Sequence, residues 1–244
     1  MRRQTFAARV WAKLIAHERR ERLLARGQRV LAAVSGGPDS VALAHYLAQR
    51  ARALELEVSL LHVHHELRGR GADADAAFVR KLGESLGLPV KVVRVDVRAR
   101  AKARGKGLED AGRELRYAAL TREARRLRCA AVAAGHQLDD QAETVLLHML
   151  RGTRLGALGA MAPKRPLAPG VDLIRPLLPL SRDEVLLYLE RHRLPHRQDP
   201  TNRSEDFLRN WLRLEIMPRL VRKQPRVREH LAGLAAQARA LTAD

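Results

Sequence analysis

Two short segments carry side chains whose types and spacing suit chemistry on a phosphorylated ligand. The first is Ser35-Gly36-Gly37-Pro38-Asp39-Ser40. Gly36 and Gly37 allow backbone angles and close approaches that a side chain forbids, and Ser35 and Ser40 supply hydroxyl donors. A helix starting here adds unpaired N–H groups and a favourable dipole. Such a nest suits pyrophosphate. No Lys follows the glycines, which separates the segment from the phosphate loop ending in Gly-Lys-Ser/Thr. Asp39 is a poor neighbour for a bare phosphate and a good one for phosphate-bound Mg²⁺. The second segment is Gly135-His136-Gln137-Leu138-Asp139-Asp140-Gln141-Ala142-Glu143-Thr144. On a helix Asp139 and Glu143 stand four apart and Asp140 and Glu143 three apart, so the carboxylates share a face. Three acids there repel one another unless a cation or an ammonium lies between them. The alternative is an exposed acidic first turn stabilised by the helix dipole.

Both segments follow short apolar runs, and the flanking pattern says what positions them. Val30–Val34, Leu56–His64, Val90–Val95 and Ala130–Ala134 read as strands. They alternate with helical stretches at Asp39–Leu47, about Asp73–Leu86, about Leu108–Arg128 and Leu138–Leu150. That alternation predicts an α/β fold, a parallel β-sheet with helices on both faces. In open sheets of this kind ligands bind at the carboxyl ends of the strands, where both segments fall. Before the sheet, Phe6, Val10, Trp11, Leu14 and Ile15 recur at helical spacing after a Thr5 cap, with Gly27 as the stop. After about residue 152, Gly152, Gly156, Gly159, Pro163, Pro166, Pro169 and Gly170 read as an irregular connection. Ser181-Arg-Asp-Glu184 is a capping box for a helix to about His192. Further helices are expected over Ser204–Glu215 and from Pro225 toward Ala240. The expected organisation is an N-terminal helix (1–27), a catalytic domain (28–180) and a small helical C-terminal part (181–244).

Composition narrows the partners. The 244 residues carry 46 Lys or Arg against 27 Asp or Glu, a formal net charge of +19, and 39 of the basic residues are Arg. A pI near 11.4 points to a polyanion, because Arg attracts phosphate and gains counterion-release entropy. The competing explanation is a coding bias that exchanges Lys for Arg on solvated faces. Clustering favours the polyanion: Arg94, Arg98, Arg100, Lys102, Arg104 and Lys106 form one basic loop, and Arg219, Arg222, Lys223, Arg226 and Arg228 a basic tail. Aromatic residues are only 3%, so phosphates and shape, rather than stacking, must supply most affinity for a nucleic acid. No apolar run approaches the roughly 18–20 residues of a membrane span, and residues 1–30 lack a secretory apolar core. A single Cys129 excludes an intramolecular disulfide framework and any multi-cysteine metal or cluster site. A cytoplasmic protein is expected.

The loop Ser35–Ser40 resembles the pyrophosphate-binding loop of the N-type ATP pyrophosphatases. Other stretches resemble the tRNA(Ile)-lysidine synthases within that superfamily. These are His62-Val-His-His-Glu-Leu-Arg68, Leu108-Glu-Asp-Ala-Gly-Arg-Glu-Leu-Arg-Tyr117, Gly135–Thr144 continuing to Leu150-Arg-Gly152, and Ile174-Arg-Pro-Leu-Leu178. Asp199-Pro-Thr-Asn202, Phe207-Leu-Arg-Asn210, Arg213 and Pro218 complete the set, in order, over about residues 28–220. The resemblance implies an adenine nucleotide α-hydrolase-like fold. It implies ATP and Mg²⁺ as cofactors, and L-lysine and a tRNA(Ile) with a CAU anticodon as partners. ATP adenylates the C2 oxygen of cytidine 34, pyrophosphate leaves, and the lysine ε-amine then displaces AMP to form lysidine. On this reading Ser35, Gly36, Gly37, Pro38, Asp39, Ser40, His62, His65, Gly135 and His136 bind the nucleotide, with Asp39 as the metal or ATP-site acid. Asp139, Asp140 and Glu143 form the lysine pocket; Arg113 with Arg116, and Arg209 with Arg213, grip phosphate or the target base. Asp39, Asp140, Arg113 and Arg209 are the catalytic candidates. His62 and His65 lie by the adenosine or are satisfied interfacial histidines.

The chain departs from the family pattern in places. His64 and Glu66 stand where Asn or Asp and Gly are expected, and only about 25 residues follow Pro218 where larger members carry tRNA-gripping domains. The basic loop and tail are candidates to replace those contacts. Rival readings are a tRNA cytidine thiolase, a non-catalytic tRNA-binding protein and a small-molecule amidotransferase-type synthetase. The thiolase needs several cysteines.

Overall fold

The structure is a computed structural model that describes residues 6–67, 70–105, 107–197 and 207–242. Thr5, Arg68, Lys106 and the Asp199–Asn202 stretch lie outside the described residues. A six-stranded sheet has the order β3-β2-β1-β4-β6-β5. Its strands are β1 (Arg29–Ala33), β2 (Glu57–His64), β3 (Val90–Arg94), β4 (Ala131–Ala133), β5 (Lys164–Ala168) and β6 (Val171–Ile174). All neighbours are parallel except β5, which runs antiparallel to β6.

Apolar side chains alternate along the strands and build a core on each face. On one face Val30, Ala32, Leu60, Ala133 and Ile174 pack with α1 (Phe6–Arg20), α2 (Pro38–Leu54), α3 (Arg70–Leu86) and α8 (Arg182–Arg191). On the other, Leu31, Leu61, Val132 and Leu173 pack with α5 (Leu108–Arg126) through Leu120 and Ala124. The helices α6 (Leu138–Leu150) and α7 (Leu155–Leu158) support α11 (Val227–Leu241), which buries Ala235 and Ala238. The first helix belongs to the main core: Val10 and Leu14 are buried, and Glu18 accepts from Tyr46 and from both sides of the Arg50 guanidinium fork (2.7 and 2.8 Å).

Several local expectations are corrected. The basic loop contains a helix, α4 (Val97–Arg104). Asp96 accepts from the Ala99 N–H at 2.8 Å and Gly105 closes it in the left-handed region, so both caps stand in the sequence. Val97 and Ala101, one turn apart, bury against Ala111 of α5. Helix α1 ends at Arg20 rather than Gly27, because the chain turns at Arg22 (φ 49°) to bring Leu23 into the core. The proline-rich connection holds the hairpin β5–β6; Pro166 is tolerated because β5 is an edge strand, with a bulge between Pro166 and Ala168. In the Ser204–Glu215 region, described from residue 207, α9 (Phe207–Trp211) passes into a π-helical turn (Leu212–Ile216) and then α10 (Met217–Lys223).

This topology places the site. The chain moves outward from β1 to β2 and β3, then crosses back to lay β4 on the other side of β1. The connections leaving β1 and β4 therefore diverge, and a crevice opens between their carboxyl ends. The Ser35–Ser40 loop leaves β1 there, and Gly135–Asp140 leaves β4.

Candidate active site

The loop after β1 is folded about one hydroxyl. Ser40 Oγ accepts from the N–H groups of Ser35 (3.2 Å) and Gly36 (3.1 Å) and donates to the Gly37 carbonyl at 2.9 Å. Gly36 has φ +96°, and a Cβ there would stand 3.2 Å from the Phe78 ring, so only glycine fits easily. Gly37 caps α2 with backbone alone and Pro38 follows it, so no side chain occupies the positive end of this helix. The segment after α8 crosses the loop: the Arg197 N–H donates to the Gly36 carbonyl at 2.9 Å, and its guanidinium pairs with Asp75.

Gly135 brings the second segment against the first. A Cβ on it would lie 3.0 Å from the Asp39 carbonyl oxygen and 3.1 Å from its carbon, both backbone atoms of α2's first turn. Asp39 is thereby enclosed, and its Oδ1 is buried with no hydrogen-bond partner. Burial, reinforced by the nearby Asp140 charge, pushes its carboxyl up to about 7.

The three acids of α6 go to different partners. Asp139 Oδ2 accepts from the Arg182 N–H at 2.9 Å at the start of α8, and Oδ1 lies 2.6 Å from Arg228 of α11. It ties three helices together. Asp140 joins a capping box with Gln137, its Oδ2 accepting from the Gln137 N–H at 3.1 Å. Its Oδ1 faces Arg213 at 3.3 Å and Arg209 at 3.6 Å. Buried Glu143 receives Arg213 bidentately, at 2.7 Å to each oxygen, and Arg209 at 3.3 Å. The structure thus joins two candidate groups the sequence treated apart: the α6 acids and the Arg pair meet face to face. Arg209, on α9, and Arg213, in the π-helical turn, stand four apart and face the same two acids.

A basic wall stands on the α5 side. His136 is neutral, driven down to about 3 by burial and by Arg175, Arg113, Arg209 and Arg116 around it. Arg175 donates from Nε to His136 Nδ1 at 3.2 Å and from Nη1 to the Ala162 carbonyl. It is only 3% exposed, and among the described residues no carboxylate pairs with it. Burial and neighbouring arginines lower it to about 10. Sequence reasoning quoted Arg175 within a matching stretch and gave it no role; its signal was an Arg directly after a strand. Arg182 and Arg197 were likewise unassigned, and Arg228, read as part of the basic tail, faces Asp139. Arg113 lies over the Tyr117 ring at 5.4 Å, and Arg116 is exposed. His62 Nδ1 bonds the Val34 carbonyl at 2.9 Å, holding β2 to the loop. His65 lies near Gly112 on α5.

Among the described residues no group of three or more His, Cys, Asp or Glu could hold a metal ion. Asp39, whose buried Oδ1 lacks a partner, would nevertheless suit a phosphate-bound magnesium ion as a single protein carboxylate.

The PP-loop domain family matches residues 6–220 of this chain. The tRNA(Ile)-lysidine synthase of Symbiobacterium thermophilum is 45% identical over 204 residues, 84% of this chain and 42% of that protein. That of Dehalococcoides mccartyi is 40% identical over 221 residues, 89% of this chain and 47% of the relative. The Chlorobaculum tepidum tRNA(Ile)-lysidine synthase is 37% identical over 233 residues, 91% of this chain and 68% of its own length. The chain spans about half the length of the first two relatives. Among solved structures, the U34-tRNA thiolase NcsA from Methanococcus maripaludis, solved with its [4Fe-4S] cluster, shares the fold with TM-score 0.77 at 23% identity, over 96% of this chain and 80% of that one. The NH3-dependent NAD synthetase of Campylobacter jejuni does so at TM-score 0.53 and 18% identity, over 96% and 95% of the two chains. With the loop after β1, the acids after β4 and these relatives in agreement, the chain belongs to the PP-loop domain family and, within it, to the tRNA(Ile)-lysidine synthases.

Proposed function

We propose that this protein joins L-lysine to C2 of cytidine 34 in a tRNA(Ile) with a CAU anticodon, at the expense of ATP. The observation that carries the reading is one crevice with two opposite linings. The phosphate loop and basic wall suit ATP and RNA, and the Asp140–Glu143 pair suits an amine. In the first step the C2 oxygen attacks the α-phosphorus, the bond to the bridging oxygen breaks, and pyrophosphate leaves against the α2 N-terminus. Asp39 would hold a magnesium ion, which would neutralise phosphate charge. In the second step the lysine nitrogen attacks C2, the C2–O bond breaks and AMP departs. The attacking amine must be neutral, and Asp140 or Glu143 takes its proton. Both acids are paired with Arg209 and Arg213, so lysine binds by displacing a guanidinium from Glu143.

Sulfur transfer fits poorly. Cys129, the single cysteine, is buried and its thiol is pushed up to about 11, mainly by burial, which leaves almost no thiolate. The test is incubation with labelled lysine, ATP, Mg²⁺ and CAU-anticodon tRNA. One AMP per acid-precipitable lysine is expected. Binding of the tRNA without lysine incorporation or AMP release overturns the proposal.

A further inference from the structure

The basic wall does not stop at the crevice. Arg113, Tyr117, Thr121 and Arg125 are spaced four apart on α5 and form one stripe. Since α5 delivers the chain to the start of the parallel strand β4, it runs from the carboxyl edge of the sheet back to the amino edge. The stripe therefore leads away from His136 for roughly 18 Å, at 1.5 Å per residue. Beside it runs an open groove of about 520 Å³, lined by Tyr117, Ala118, Thr121, Arg122, Arg125 and Leu167. At the Tyr117 end of the groove the guanidinium groups of Arg113 and of Arg165 on β5 lie 5.4 and 5.8 Å from the Tyr117 ring centroid.

The charges here are uncompensated. Among the described residues no carboxylate pairs with Arg113, Arg122, Arg125 or Arg165, whereas Arg126, one residue on, is spent on Glu123 at 2.6 Å. At the head of the groove the buried Arg175 also lacks an acid partner and has Arg113 and Arg165 as cationic neighbours. A row of like charges converging on one groove is unfavourable in isolation and becomes favourable with an anion laid along it. A single phosphate satisfies one end of an 18 Å row, roughly, while a phosphodiester chain satisfies its length.

We propose that this groove is the track for the RNA backbone flanking the target nucleotide, with Arg113 and Arg165 at its crevice end and Arg122 and Arg125 at its far end. The proposal rests on RNA being the substrate. It divides the site by charge: RNA enters over α5 and β5, and the acids of α6 are left to the amine.

The test compares the wild type with Arg122→Gln/Arg125→Gln, both exposed positions distant from the reacting groups, with Arg191→Gln/Arg193→Gln at the C-terminal end of α8 as control. Fluorescence anisotropy with CAU-anticodon tRNA is read across a KCl series. The track predicts that the double variant binds roughly ten- to twentyfold more weakly near 0.15 M salt, with a log–log salt slope shallower by about 1.4–1.8 for two lost phosphate contacts. The control leaves both quantities unchanged, and an unaltered melting temperature shows each variant folded. A salt slope and affinity equal to the wild type overturn the track, and the proposed function survives if the wild type still incorporates lysine. The predicted loss together with a wild type that never incorporates lysine supports the track and removes the lysidine reading. A wild type that binds no RNA overturns both.

Discussion

Asp39 sits where burial opposes its charge, and its role and its instability have one cause. Its Oδ1 is enclosed without a partner, next to Asp140, and its carboxyl titrates near 7 rather than 3.8. The folded state therefore binds a proton between about pH 4 and 7 that the unfolded chain does not. Stability falls as pH rises through this window, because the native state must ionise a buried group. At about 1.4 kcal/mol per pH unit the loss is bounded by about 4 kcal/mol. Asp39→Asn removes it. Calorimetry is expected to show a higher melting temperature for the variant at pH 8 and little difference at pH 4.5. Lysine incorporation is expected to drop at least about 100-fold, as for loss of one preorganised charge-stabilising group. An unchanged melting temperature at pH 8 would mean that Asp39 is not held against its charge. The acids of α6 show the opposite solution: Glu143 is more deeply buried than Asp39 but bidentately paired, so its charge is compensated.

Between elements, the decisive contact is backbone on backbone. Gly135 lets the end of β4 touch the first turn of α2, and this contact sets the acid segment against the phosphate loop. Gly135→Ala puts a methyl 3.0 Å from the Asp39 carbonyl, which neither flexible side chains nor water can relieve. The expected result is a destabilisation of about 1–3 kcal/mol, as for overpacking, and at least about tenfold weaker ATP binding by calorimetric titration if the loop yields instead of the strand. Unchanged stability and affinity would show that the two segments are independent. The glycines, the alternation of strands and helices and both chemical segments were readable from residue order, because each is encoded within about ten residues. What the chain did not announce depends on distant partners. The motif around Phe207–Arg213 singles out Arg209 and Arg213 among 39 arginines, but their pairing with Glu143 spans 66 and 70 positions, and no local pattern names that partner. Helix α4 was missed although Asp96 and Gly105 cap it, because its charge density outweighed a two-residue apolar stripe, Val97 and Ala101. The strand β6 has four residues and follows three prolines, too little for period-two alternation to register.

Across the molecule, the excess of 19 positive charges has an uneven distribution that assigns different electrostatics to each ligand. Many arginines are internally neutralised: Arg50 by Glu18, Arg100 by Glu114, Arg126 by Glu123 and Arg213 by Glu143. Arg113, Arg122 and Arg125 on α5 and Arg165 on β5 have no such partner among the described residues. A ligand held by free surface guanidinium groups releases condensed counterions, and its affinity falls as a power of salt concentration. On the proposed reading ATP would instead meet the α2 N-terminus and loop in a partly enclosed crevice, with its own divalent cation, where added salt screens weakly. Raising KCl from 50 to 200 mM should therefore weaken tRNA binding by about two orders of magnitude for roughly four phosphate contacts. Binding of ATP with Mg²⁺ over the same range should change only a few-fold. Parallel titrations by anisotropy and calorimetry decide the matter. Equal salt dependence for both ligands would place ATP and RNA on the same exposed charges, and the division of the crevice into a loop for the nucleotide and a wall for the RNA would be lost.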